Sequence, residues 1–333
     1  MATDIQNKED HALIGEAKSL PSSAPTPVIT FSPVVLQVPG RIVDLQIKIS
    51  APATGKELPI ILLSHGHGQS NNLASLKGYS PLVEFWASHG FVVLQPTHLN
   101  SKTLNLDPST PGAPLFWRSR VEDMKHILDQ LDHIESSVPI IQGRLDKTRI
   151  AVAGHSLGGH TAEVLLGAQL IAPEDGKVAN LIEPRIKAGV LLGAPGDGNG
   201  GKDISEFGMK IAPFFASPNF APMITPTLVV TGDRDLLPHL TSRGLDWHAD
   251  PYKLSTGPKS LLDVYGAHHC FGGISGYDSA EVKELDDENP EIVAVVQRAT
   301  TAYLRSVLYP GDGAWEEMGK AVESAKLGKV ESK

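Results

Sequence analysis

The stretch Arg149-Ile150-Ala151-Val152-Ala153-Gly154-His155-Ser156-Leu157-Gly158-Gly159-His160 decides the fold. Ile150 to Ala153 is a short, unbroken apolar run, the pattern of a strand covered on both faces. Ala162-Glu163-Val164-Leu165-Leu166, just downstream, is helical in composition. A Gly-x-Ser-x-Gly turn lies between them. Gly154 and Gly158 allow the chain to reverse sharply without side-chain clashes. Such a turn lifts Ser156 above the carboxyl end of a sheet and sets the Leu157 N–H at a helix start. A serine hydroxyl raised in this way needs only a neighbouring base to become a nucleophile.

Working outward, further short apolar runs occur at Pro59 to Leu63, Phe91 to Leu94, Gly189 to Leu192, Leu228 to Val230 and, less pure, Ser260 to Val264. Val121, Met124, Leu128 and Leu131 recur at helical spacing, as do Ile292, Val296, Ala299, Tyr303 and Val307. Strand, helix, strand, helix predicts an α/β fold with a mostly parallel twisted sheet and helices on both faces. Upstream, Val34 to Val38 and Ile42 to Ile49 flank Pro39-Gly40 and predict an antiparallel hairpin at a sheet edge. The predicted organisation is a flexible leader over 1–27, a catalytic domain over 28–310 and a tail over 311–333. Loop insertions are expected at about 97–117 and 193–226, rich in Pro, Gly and aromatic residues, with at least one lining a substrate pocket.

Composition narrows the classes. The 333 residues are 41% hydrophobic with a net charge of −9 and no basic block, so a nucleic-acid partner is not expected. One cysteine, Cys270, excludes an intramolecular disulfide. No apolar run reaches the roughly 18–20 residues of a transmembrane span, and the N-terminus lacks a signal-peptide pattern, so the expected address is cytoplasmic.

Histidines that could supply a base include His268 and His269 in Gly266-Ala267-His268-His269. Carboxylates that could accompany it include Asp233 and Asp235 in Gly232-Asp233-Arg234-Asp235-Leu236-Leu237-Pro238, and Asp197. His65 and His67 lie two apart, but zinc takes three or four ligands and no matched set accompanies them, so no metal is expected.

Gly154-His155-Ser156-Leu157-Gly158-Gly159 resembles the nucleophile elbow of the α/β-hydrolases. The core from about Val28 to Leu308 resembles the branch holding dienelactone-hydrolase-like esterases, chlorophyllases, platelet-activating-factor acetylhydrolases and cutinase-related polyester hydrolases. The resemblance implies a triad in the order Ser156, Asp235, His269. It aligns Ser64-His65-Gly66-His67-Gly68 with the oxyanion loop, so that the His67 and Leu157 N–H groups form the oxyanion hole. Arg120 and Asp123 match the branch's Arg-x-x-Asp helix, for which a structural salt link or a solvated helix face is expected. The implied activity is hydrolysis of a small-molecule, largely apolar ester through an acyl-enzyme, without a cofactor. A thioesterase, lactonase, amidase or acyltransferase would use the same triad, and a non-catalytic binding protein would need only the scaffold.

Overall fold

The computed structural model describes residues 12–68, 76–276 and 288–333. Its strands are β1 (Val28–Leu36), β2 (Leu45–Pro52), β3 (Leu58–Ser64), β4 (Val92–Pro96), β5 (Leu145–His155), β6 (Leu170–Ile171), β7 (Val178–Ala179), β8 (Ile186–Leu192), β9 (Thr227–Gly232), β10 (Lys259–Val264) and β11 (Gly328–Ser332). Its helices are α1 (Ser80–Ser88), α2 (Trp117–Asp129), α3 (Leu131–Ser137), α4 (Leu157–Leu165), α5 (Glu206–Ile211), α6 (Asp250–Leu254), α7 (Pro290–Leu308) and α8 (Ala314–Ser324). Nine strands form one sheet in the order β1-β2-β4-β3-β5-β8-β9-β10-β11, while β6 and β7 pair separately. The run from β4 through β10 is parallel. The hairpin β1–β2 lies at one edge and is antiparallel, as is β11 at the other.

The apolar runs predicted from sequence are the parallel strands, and their period of two explains why they are apolar throughout. Ile60 and Leu62 of β3 face one core layer with Val92, Leu94, Ile150 and Val152, covered by α2, α3 and α4. Ile61 and Leu63 face the other with Val93, Ala151, Ala153, Val190 and Val230, covered by α1, α7 and α8. A strand between two cores has no polar face, and each large aliphatic side chain so buried contributes about 1.5–3 kcal/mol.

The N-terminal segment is more structured than a flexible leader, while the tail holds a short helix. The first eleven residues of the predicted leader lie outside the described residues. Ala12–Ser19 is a 3-10 segment, with Ala17 and the following Leu20 buried among the residues of α7. The tail contributes α8, whose Met318 and Val322 are buried, and the polar strand β11. Trp315 packs on Tyr303 and its indole N–H donates to Ser260 Oγ at 3.1 Å, which fastens α8 beside β10. In the hairpin, β1 begins earlier than predicted and is irregular between Phe31 and Val34, and the connection spans 37–44. Of the two predicted insertions, 193–226 carries α5 and short 3-10 turns. Among the described residues, no helix is long and apolar enough to cross a membrane.

Candidate active site

β5 ends at His155 and α4 begins at Leu157, leaving Ser156 between them with φ 54° and ψ −121°. A non-glycine residue held there costs about 1–3 kcal/mol and persists only where its surroundings fix it. The Ser156 N–H donates to the Leu192 carbonyl of β8 at 2.9 Å. A Cβ on Gly158 would stand 1.9 Å from the Ser64 carbonyl oxygen, and one on Gly154 would stand 2.0 Å from that of Gly158. The start of α4 is thus pressed onto the end of β3, which brings the elbow against the Ser64–Gly68 loop.

Of the acids considered, Asp235 alone reaches a candidate base. His269 Nδ1 lies 2.9 and 3.1 Å from its two carboxylate oxygens. Nδ1–H therefore donates to Asp235, leaving Nε2 as the acceptor nitrogen. Burial by itself would raise the Asp235 pKa, but His269 and His248 beside it hold the carboxyl well below the ordinary range. Gly193, with φ 53°, gives the pair room, since a Cβ there would come within 3.0 Å of Asp235 Oδ2. Asp233 instead accepts the Gly266 N–H at 2.6 Å, and Asp197 accepts the Asn199 N–H at 3.0 Å. His268 is exposed.

The loop with His67 is held from behind. Arg120 on α2 is fully buried and donates to the His65 carbonyl, to Ser64 Oγ at 3.0 Å, to Asn100 Oδ1 at 2.5 Å and to Thr161 Oγ1 at 3.0 Å. Asn100 Nδ2 in turn lies 3.0 Å from His67 Nδ1. Burial first, then the charges of Arg120 and Lys102, lowers the His67 pKa to about 4, so its ring is neutral at neutral pH. Asp123 binds Arg41 at 2.8 Å and His98 at 2.9 Å. Arg120 and Asp123 are thus both structural anchors, with Asp123 in a buried salt link to Arg41 and neither on a solvated face.

Two further residues join the halves of the site. Tyr79 OH accepts the Gly66 N–H at 2.9 Å and lies 2.8 Å from His155 Nδ1. His155 Nε2 lies 2.8 Å from the His269 carbonyl. Burial raises the Tyr79 pKa and lowers that of His155 to about 3, so the phenol donates to Nδ1 and a neutral ring donates from Nε2–H. Tyr79 carries no local sequence signal, because only the folded chain brings it under Gly66. His155 lies inside the motif, but its partners are 76 and 114 residues away.

Ser156, Leu157, His67 and His269 line one cleft of about 540 Å³. Much of its wall is apolar: Phe207, Ile211 and Phe215 come from the 193–226 insertion, Leu115 from the 97–117 insertion, and Leu237 and Trp247 from the stretch after β9, with Lys102 and His239 as polar members. Both predicted insertions therefore contribute, and residues 237–248 add a wall that sequence reasoning missed. A cleft of about 450 Å³ near Arg41 and Trp117 is lined by none of Ser156, Asp235 and His269. His65 turns inward, Nδ1 to the Gly66 carbonyl at 2.8 Å and Nε2 to the His98 N–H at 3.2 Å, so it does not pair with His67 around a metal. Asp235, His248 and His269 bring their N and O atoms within 4.8 Å of one another. In this cluster the Asp235 carboxylate stands between two imidazoles, His269 at 2.9 Å and His248 at 3.3 Å.

Residues 42–172 match the family model described as chlorophyllase. That span carries the Ser64–Gly68 loop, Arg120 and the elbow, all on the parallel sheet described above. The chain has an α/β-hydrolase fold. A platelet-activating factor acetylhydrolase of Cavia porcellus is 26% identical to this chain over 142 residues, 32% of this chain and 31% of that relative. The aligned part thus spans about a third of the relative's length. Both likenesses support the chlorophyllase-like and acetylhydrolase-like branch of the superfamily. The family match ends before Asp235, His248 and His269, so the assignment of acid and base rests on the geometry of this chain.

Proposed function

We propose that this α/β-hydrolase cleaves carboxylic esters through an acyl-enzyme on Ser156. The observation that carries the reading is the shared cleft, in which the strained Ser156 faces the same space as a His269 whose Nδ1 is taken by Asp235. His269 Nε2 accepts the Ser156 proton as Oγ bonds to the ester carbonyl carbon. The carbonyl π electrons move to oxygen, where the Leu157 and His67 N–H groups stabilise the charge. Preorganised donors of this kind act on charge that appears only on the way to the tetrahedral intermediate. Collapse of that intermediate breaks the bond to the alkoxide, which takes the proton from His269. Water then repeats the sequence, freeing the acid and restoring the serine. Asp235 orients His269 and stabilises its transient positive charge.

The apolar walls favour a small-molecule ester with a hydrocarbon-rich acyl or alcohol part. The likeness to chlorophyllases and to an acetylhydrolase favours an ester over an amide. The test is a p-nitrophenyl ester series from acetate to palmitate with wild type, Ser156→Ala and His269→Ala. Turnover by wild type alone is expected, with an acyl-length optimum. No turnover of any ester by wild type would overturn the esterase reading and favour a binding role for the scaffold.

A further inference from the structure

His248 is buried on the 3-10 turn Leu245–Ala249, and the reaction above leaves it without a task. Its Nδ1 lies 2.7 Å from the Ala194 carbonyl oxygen, which can only accept, so Nδ1 carries a hydrogen. Its Nε2 lies 3.3 Å from Asp235 Oδ1. That carboxylate already takes the Nδ1–H of His269 and, ionised, has nothing to donate. A neutral His248 protonated on Nδ1 would aim the Nε2 lone pair at a carboxylate oxygen. Both contacts are satisfied when both ring nitrogens carry hydrogen.

We propose that His248 is a buried imidazolium that shares the Asp235 carboxylate with His269, a positioning residue that sets the acidic limb of the reaction. The ring centroids of His248 and His269 are 5.6 Å apart. A positive charge on His248 opposes a second one on His269. The other groups facing His248 agree with a cation there. Asp250 of α6 is nearby and carries Arg243 at 3.0 Å. His155 of β5 is neutral, and Glu163 of α4, beside Asp250, is held protonated by burial. Burial disfavours the imidazolium, but Asp235, the Ala194 carbonyl and Asp250 outweigh it, and the net direction for His248 is upward.

The effect on the acidic limb rests on the Ser156–His269 reading, whereas the charge of His248 does not, and two measurements separate them. The first is the ¹⁵N imidazole spectrum of histidine-labelled protein at pH 7.5, wild type against His248→Gln. The signal lost in the variant is expected to report both nitrogens protonated. A single protonated nitrogen, as for a neutral ring with the proton on Asp235, would overturn the proposal. If the variant does not fold, the wild-type spectrum decides: an imidazolium persisting at pH 7.5 supports the proposal and its absence contradicts it. The second is the pH profile of fluorophosphonate labelling. The acidic limb of His248→Gln is expected about one pH unit above that of wild type, and an unmoved limb would contradict the proposal. A wild type that never labels would sink the serine reading, while the spectrum would still decide the charge of His248.

Discussion

The Tyr79 hydroxyl lies 2.8 Å from His155 Nδ1 while it accepts the amide of Gly66, so one phenol ties the loop of His67 to the residue preceding Ser156. Through His155 Nε2 the tie continues to the His269 carbonyl at 2.8 Å. The groups proposed to hold the oxyanion and to move the proton are therefore fixed to one another, not merely to the sheet. Tyr79→Phe removes the link at its centre and leaves the buried Gly66 N–H unpaired. A stability loss of about 1–3 kcal/mol is expected from the unpaired groups. The kcat for a p-nitrophenyl ester should fall about 10- to 100-fold at little-changed KM, because the oxyanion donor is displaced rather than removed. Urea unfolding and steady-state kinetics check both figures, and unchanged kcat would show that the tie does not act on the reaction.

Arg120 should matter more for stability than any charge on the surface. Its guanidinium is buried and makes hydrogen bonds to four residues, and burial pulls its pKa down only to about 9, so it stays charged at neutral pH. Arg120→Met would leave the His65 carbonyl, Ser64 and Asn100 short of donors, at a cost of about 2–4 kcal/mol. Arg120→Lys keeps the charge without the planar fork and should fall between. Chemical denaturation measures both, and a loss under about 0.5 kcal/mol for Met would place Arg120 with ordinary surface residues.

Gly158→Ala tests the packing of the elbow. The new methyl would stand 1.9 Å from the Ser64 carbonyl, a backbone atom that cannot swing aside. A loss of about 2–4 kcal/mol with little remaining activity is expected. Gly40→Ala is the control: its φ is 79° but nothing lies within 4 Å of the added carbon. Only the backbone cost of about 1–2 kcal/mol is expected there, with activity kept. Equal effects at the two positions, measured by thermal unfolding and ester turnover, would contradict the close-packed elbow.

Glu163 should set part of the pH dependence of stability. It is buried on α4 with Oε1 unpartnered, and burial, with Asp250 adding to it, raises its pKa well above the ordinary carboxylate value. In the unfolded chain it ionises at that ordinary value. Above it the folded state holds the extra proton, and stability falls as pH rises until the folded pKa is passed, by up to about 1.4 kcal/mol per pH unit. Glu163→Gln removes this contribution, so the variant should gain on wild type steadily from pH 5 to 8 in urea titrations. Parallel pH curves would show that Glu163 is ionised in the folded protein.

What the sequence revealed follows from where each residue gets its environment. The strand β3 and the later parts of β5 and β8 announce themselves because both faces are buried and both must be apolar. Ser156 is legible because its turn needs glycine locally, and Asp235 and His269 because each follows a legible strand. β11 is not, since Gly328-Lys329-Val330-Glu331-Ser332 has no apolar pattern of its own and depends on α8 to dock it beside β10. His248 and Tyr79 are illegible for the same reason. Neither stands at a spacing that marks chemistry, and each gains its role from a partner brought close only by the fold. Asp233 and Asp197 are told apart from Asp235 only in the fold, where they accept loop amides and Asp235 meets His269.

The central claim is that Ser156 is a nucleophile activated by His269. The most direct measurement is intact mass and peptide mapping after treatment with a fluorophosphonate probe, for wild type, Ser156→Ala and His269→Ala. The account predicts one adduct on wild type, mapped to Ser156, none on Ser156→Ala, and labelling slowed at least 100-fold in His269→Ala, at the low end of the about 10²–10⁴-fold expected of a lost general base. An adduct on another residue, or undiminished labelling of His269→Ala, would contradict it.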